Sequence, residues 1–254
     1  MQHTTYDLQT VRKPFGGINA NTLRFLALGF MLLDHLWATL ISGNLWMTCL
    51  GRLAFPIFAF QIAEGFFHTH DRRRYAMRLL IFAVISEIPF NLMMESSMIF
   101  PFHQNVMFTL LLGLMSISCI EKLRNRPNGK TVVKMVLALL GILLLATIGF
   151  VDYGPLGVLT VVTFYLFRGF RGVWILQLAA MLMMNVFLFE GQTIPFHLAN
   201  QLIEFPIQGF AVFALFPIWL YNGQKGHSSR ALQYGAYAFY PVHMLILSLL
   251  VFLR

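Results

Sequence analysis

The chain has 254 residues, of which 58% are hydrophobic, 15% aromatic and only 11% charged, more apolar surface than a soluble domain of this length can hide in its core. A soluble globular protein is thereby excluded, and the composition predicts an all-α fold, a polytopic bundle of membrane helices. Eighteen lysines and arginines against ten acidic residues give a net charge of +8, but the basic residues fall in short polar breaks between apolar runs, which argues for orientation in a bilayer and against nucleic acid as a partner.

Residues 1–21 are polar and hold no seven-residue hydrophobic stretch, so they read as a short cytoplasmic tail without a cleavable leader. The remainder, 22–254, reads as one transmembrane domain. About 20 apolar residues cross the hydrocarbon, and by that rule nine helices are predicted, at 22–42, 45–66, 76–95, 105–120, 133–150, 155–168, 173–189, 198–221 and 232–252. Cys49 and Cys119 fall near opposite ends of different predicted helices, too far apart for a disulfide. A Phe-Pro-Ile triplet recurs at 55–57, 205–207 and 216–218, but no longer internal repeat accompanies it. Pro56 and Pro241 lie inside predicted helices, where each would free the carbonyl four residues back.

Basic residues test the count, because they should alternate in abundance from loop to loop. Sixteen lie on one side: Arg12, Lys13 and Arg24, then Arg72, Arg73, Arg74 and Arg78, then Lys122, Arg124, Arg126, Lys130 and Lys134, then Arg168 and Arg171, then Lys225 and Arg230. The other side carries Arg254, with Arg52 inside a helix. The pattern predicts a cytoplasmic N-terminus, an external C-terminus and an odd number of spans.

Asp34, His35, Arg52, Glu64, Glu87 and His243 lie within the predicted spans. Each costs about 2.5–3.5 kcal/mol in lipid even on the mildest insertion scale, so the six are expected to line one polar cavity. Asp34 and His35 are about 100° apart around one helix and need partners from elsewhere. Arg52, entering from the opposite face to a similar depth, is the expected partner of Asp34. A histidine held by a carboxylate can act as a general base, and the same residues could equally form a proton relay. The run His68-Thr-His-Asp-Arg-Arg-Arg-Tyr75 either anchors the inner face or grips the phosphates of a cytosolic ligand. The spacing of His68 and His70 does not make a metal site. Asp152-Tyr153-Gly154 reads as a tight external turn.

Several motifs together carry a resemblance. Leu32-Leu33-Asp34-His35, Gly51-Arg52-Leu53-Ala54-Phe55-Pro56, Ala63-Glu64-Gly65-Phe66, Ser86-Glu87-Ile88-Pro89-Phe90-Asn91, Gln104-Asn105-Val106-Met107-Phe108-Thr109, Asp152-Tyr153-Gly154, Tyr221-Asn222-Gly223 and Phe239-Tyr240-Pro241-Val242-His243 resemble the TraX family of bacterial membrane proteins, in the family's order and over nearly everything after residue 21. The family's type member acetylates the N-terminus of a conjugative pilin in the bacterial inner membrane. The resemblance implies a multi-pass inner-membrane acetyltransferase in contact with membrane lipid. Acetyl-coenzyme A is its implied donor and no metal is required. The acceptor is an amine or hydroxyl, such as a pilin N-terminus. His35 or His243 would be the base, with Asp34, Arg52 and Glu87 in the catalytic set and Arg52 as oxyanion donor or partner of Asp34. Arg72, Arg73, Arg74 and Arg78 would hold the phosphates of coenzyme A, and Glu64, Asn105, Asp152 and Tyr240 would contact substrate. A small-solute or proton-coupled transporter and a non-catalytic filament-assembly protein remain alternatives from the residues alone.

Overall fold

A computed structural model of the chain describes residues 17–125, 128–169, 172–198, 201–227 and 229–254. Residues 1–16 of the expected tail, with Arg12 and Lys13, and Arg126 and Arg171 lie outside the described residues. The fold is a helical membrane bundle. Helix α1 (Ala20–Thr39) starts where the Asn19 side chain accepts a hydrogen bond from the Thr22 amide at 3.0 Å, satisfying one of the donors that a helix start leaves unpaired. Helices α2 (Leu45–Gly51) and α3 (Ala54–His68) follow, separated by a break at Arg52 and Leu53. Pro56 therefore stands in the first turn of α3, where its missing N–H costs nothing. The expected kink within one long helix is replaced by a start.

Helix α4 (Arg72–Glu95) begins four residues before the predicted boundary, because the Asp71 side chain caps it by accepting from the Arg74 amide at 2.9 Å. Helices α5 (Val106–Asn125), α6 (Gly129–Ile148), α7 (Gly154–Leu166), α8 (Val173–Leu182) and α10 (Arg230–Phe252) agree with predicted elements to within a few residues, and a single π-turn over Met183–Leu188 extends α8. The predicted helix at 198–221 is corrected. Strands β1 (Thr193–Leu198) and β2 (Gln201–Pro206) form an antiparallel hairpin in which Ile194 faces Phe205 and Phe196 faces Ile203; a 3₁₀ segment over Ile207–Ala214 and helix α9 (Leu215–Trp219) follow. Pro206 supplies no N–H and biases Phe205 toward extended backbone, while Asn200, Gln201 and Glu204 interrupt the apolar run.

Among the described residues five segments are long and apolar enough to span a bilayer: Leu45–His68, Arg72–Glu95, Val106–Arg124, Gly129–Ile148 and Tyr234–Phe252. Gly154–Leu166, Val173–Leu188 and Ile207–Trp219 are shorter apolar helical stretches. Polar contacts tie the chain together at two ends. At the basic end, Arg168 at the foot of α7 reaches Glu64 in α3, and the Gln61 amide donates to the Ala20 carbonyl at 2.8 Å. At the opposite end Gln104 and Val151 form a backbone bridge and Arg254 donates to the Leu40 carbonyl at 3.2 Å. The main core lies among α1, α3, α4, α5, α7 and α10, with Leu23, Ala27, Ile57, Phe66 and Met244 fully buried.

Candidate functional site

The six intramembrane ionisable residues do not converge on one chamber. They separate into paired groups, and of the six only Glu64 lines the main cavity. In the first group Arg52, at the α2–α3 break, places Nη2 3.3 Å from Asp34 Oδ1. Thr48, fully buried one turn earlier, donates to the same Asp34 oxygen at 2.7 Å and accepts from Arg52 Nη2 at 3.1 Å. The close approach is possible because Gly51 faces Asp34: a Cβ there would stand 2.4 Å from the Asp34 Cβ. Arg52 Nε is buried and has no acceptor among the described residues.

The second group is a histidine pair from α1 and α10. His35 Nδ1 and His243 Nε2 are 2.7 Å apart, with the rings within 9° of coplanar, and His243 Nδ1 lies 2.6 Å from the Phe239 carbonyl. The partners assign the tautomers of the neutral pair. A carbonyl can only accept, so His243 Nδ1 carries hydrogen and its Nε2 accepts from His35 Nδ1–H. His35 Nε2 then keeps its lone pair and has no hydrogen-bond partner among the described residues. The expectation that a carboxylate holds the intramembrane histidine is corrected, since the Phe239 backbone carbonyl holds His243.

Glu87 instead accepts from Asn105 at 2.5 Å through the side-chain amide and 3.3 Å through the backbone amide, and Asn105 also donates to the Ala83 carbonyl at 2.8 Å. Glu64 pairs with Arg168 at 2.5 Å, and the Arg168 guanidinium lies 4.3 Å from the centre of the Phe67 ring. Asp152 joins the far end of the bundle, where His103 stands 3.1 Å from Glu95 and 3.9 Å from Asp152. Those two carboxylates, Asp152 foremost, raise the His103 imidazole to a pKa of about 9 against the opposing effect of partial burial. No group of three or more metal-ligating side chains occurs among the described residues.

A cavity of about 440 Å³ opens at the basic end between α1, α3, α4 and α10. Arg24, Arg78 and Lys225 stand on its wall, and Met31, Met107 and Tyr240 line its deep part. The eleven positions from Ala20 to Met31 correspond to roughly 16 Å of helix. Arg24 and Lys225 were legible in the sequence only as topological charges. Of the predicted phosphate-binding arginines only Arg78 lines the cavity: Arg72 lies 3.9 Å over the Phe66 ring, Arg74 is tied to Asp71 at 2.9 Å, and Arg73 is exposed. Tyr240 belongs to both regions, since its ring centre is 6.4 Å from that of His35 and 6.0 Å from that of His243. Thr48 is a further residue that sequence reasoning passed over, because a threonine in an apolar helix carries no distinguishing pattern.

The fold and these buried pairs define a polytopic helical membrane protein with a cationic cavity at one end and an imidazole pair in its interior. The chain belongs to the TraX family, whose model, described as TraX protein, matches residues 19–251. A 110-residue stretch is 34% identical to the probable fimbrial assembly protein FimC, serogroup H1, of Dichelobacter nodosus, covering 39% of this chain and 45% of that protein. The match therefore spans less than half the length of that relative. No solved structure matches the chain.

Proposed function

We propose that this protein is an acetyltransferase of the bacterial inner membrane, with its basic end in the cytoplasm, that moves an acetyl group from acetyl-coenzyme A to an amine or hydroxyl acceptor such as the N-terminus of a pilin. The observation that carries the reading is the cavity that begins among Arg24, Arg78 and Lys225 and ends at Tyr240, the residue that adjoins the histidine pair. Among the described residues its one acidic wall residue, Glu64, is neutralised by Arg168, so the three cations favour a polyanion such as the phosphates of coenzyme A. The fimbrial assembly relative and the TraX family support a surface-filament subunit as the acceptor.

The chemistry follows from the hydrogen bonds. His35 Nε2, the free lone pair of the relay, removes the proton from the acceptor as its nitrogen or oxygen attacks the thioester carbon. The C–S bond then breaks, and the imidazolium returns that proton to the departing sulfur. His243 and the Phe239 carbonyl hold His35 in the tautomer that presents Nε2, and Arg52 offers positive charge to the oxygen of the tetrahedral intermediate.

The test uses purified protein with radiolabelled acetyl-coenzyme A and membrane extract. Label is expected in an acceptor fraction with wild type and to be lost with His35→Ala. Replacing Arg24, Arg78 and Lys225 by glutamine should weaken binding of acetyl-coenzyme A at least tenfold, while Arg73→Gln leaves it unchanged. Full transfer by His35→Ala would exclude the proposed base, and solute flux without an acetyl donor would favour a transporter.

A further inference from the structure

We propose that Tyr234 is the platform on which the adenine of coenzyme A stacks, so that the cavity recognises the base of the donor as well as its phosphates. This rests on the acyl-transfer reading and adds a contact to it. Helix α10 turns three tyrosines toward the cavity, Tyr234, Tyr237 and Tyr240, each three residues from the next. Two of the rings are engaged. Tyr237 stacks on Phe82 of α4, with centroids 4.8 Å apart and planes within 20°, and Tyr240 is buried beside the histidine pair. Tyr234 is 62% exposed, enough to leave a ring face open.

The Tyr237–Phe82 stack fixes the register between α10 and α4, which both begin at the basic end and run the same way. Tyr234 lies three residues before Tyr237 and Arg78 four before Phe82, about 4.5 Å and 6 Å toward the basic end. The two therefore stand within about 1.5 Å of the same depth, and both line the cavity. Lys225, on the segment that leads into α10, lines it as well.

A tyrosine near the start of a membrane helix commonly anchors it by turning its ring to the lipid interface. Such a ring belongs on the outer face of the bundle, whereas Tyr234 shares the cavity wall with Tyr237 and Tyr240. An open aromatic face level with a guanidinium suits a nucleotide, because the base stacks while the cation takes the phosphate. Coenzyme A carries its adenine one ribose away from its phosphates, so one molecule can meet Tyr234 and Arg78 together. A pantetheine arm carried on a protein has a phosphate but no base. It would satisfy Arg78 and leave Tyr234 unused, so the site is matched to free coenzyme A rather than to a carrier-bound thioester.

Equilibrium dialysis of radiolabelled coenzyme A against the full-length protein in detergent measures the contact. Tyr234→Ala should raise Kd about tenfold, the order of one base–aromatic stack, with the thermal unfolding midpoint unchanged. Tyr234→Phe keeps the ring and should bind within about twofold of wild type, whereas Tyr234→Leu, apolar but without a π-face, should behave as the alanine variant does. Phosphopantetheine lacks the base, so wild type and Tyr234→Ala should bind it alike. Wild-type affinity for coenzyme A in Tyr234→Ala overturns the proposal, and so does an equal loss for both ligands, a loss that persists in Tyr234→Phe, or one that only follows a fall in the unfolding midpoint. Wild-type protein that binds no coenzyme A fails the acyl-transfer reading itself, a result visible before any variant is made.

Discussion

Gly51→Ala is the smallest change that tests how the Asp34–Arg52 pair is built. The new methyl carbon would stand 2.4 Å from the Asp34 Cβ, 2.7 Å from its Oδ1 and 2.8 Å from its Cγ. Non-bonded carbons rest at about 3.5–4.0 Å, and neither Cβ can rotate away, so α1 and α2 must part by about 1 Å. That displacement takes the Arg52–Asp34 contact, now 3.3 Å, past ion-pair range, and overpacking of this kind costs about 1–3 kcal/mol. Asp34→Gly removes all three clashing atoms. On that background Gly51→Ala should cost nothing sterically, so the two substitutions should show a coupling of about 1–3 kcal/mol in a double-mutant cycle. Reversible unfolding of the purified protein in detergent, followed by tryptophan fluorescence, measures it. Additivity within about 0.5 kcal/mol would mean that the helices do not meet at Gly51, and the geometry assigned to Arg52 would fall with it.

Arg168→Gln should destabilise the protein by about 3–5 kcal/mol, because it leaves Glu64 largely buried and unpaired, and adding Glu64→Gln should recover most of the loss; an equal deficit in single and double variants would refute the pairing. His103, whose pKa rises from 6.5 to about 9 in the folded chain, stabilises it fully below pH 6.5 and progressively less as pH rises through 9. Solvent reaches this site, so the contribution is about 1–2 kcal/mol rather than the full value of the shift. The stability difference between wild type and His103→Gln, measured from pH 6 to pH 10, should shrink over that window, and a constant difference would exclude the ion pair.

The long helices were legible because a bilayer demands both length and apolarity, and α4, α5, α6 and α10 meet the demand in full. The hairpin at 193–206 was not. Hydropathy averaged over a window cannot distinguish Phe196, Leu198, Leu202 and Ile203 on paired strands from the same residues on a helix, and the prolines at 195 and 206, with the polar Asn200, Gln201 and Glu204, were the local warnings. The left-handed turn at Tyr153 was equally hidden, since a glycine follows it and the sequence offers no sign that the tyrosine itself carries the positive φ.

The instructive departure concerns the charged residues. Expulsion from lipid predicts that each finds a partner, and several have: Asp34 with Arg52, His35 with His243, Glu64 with Arg168, Glu87 with Asn105. It does not predict that the pairs share a cavity, because a neighbouring helix can satisfy each locally at lower cost than a water-filled chamber. What distinguishes a working site from a structural pair is therefore the group left over after pairing. In the layer around Asp34, His35 and Arg52 two such groups stand out, the lone pair on His35 Nε2 and the hydrogen on Arg52 Nε. A base without a proton and a donor without an acceptor are the two components that acyl transfer requires; the first stands on α1 beside α10 and the second at the α2–α3 break, which packs against α1.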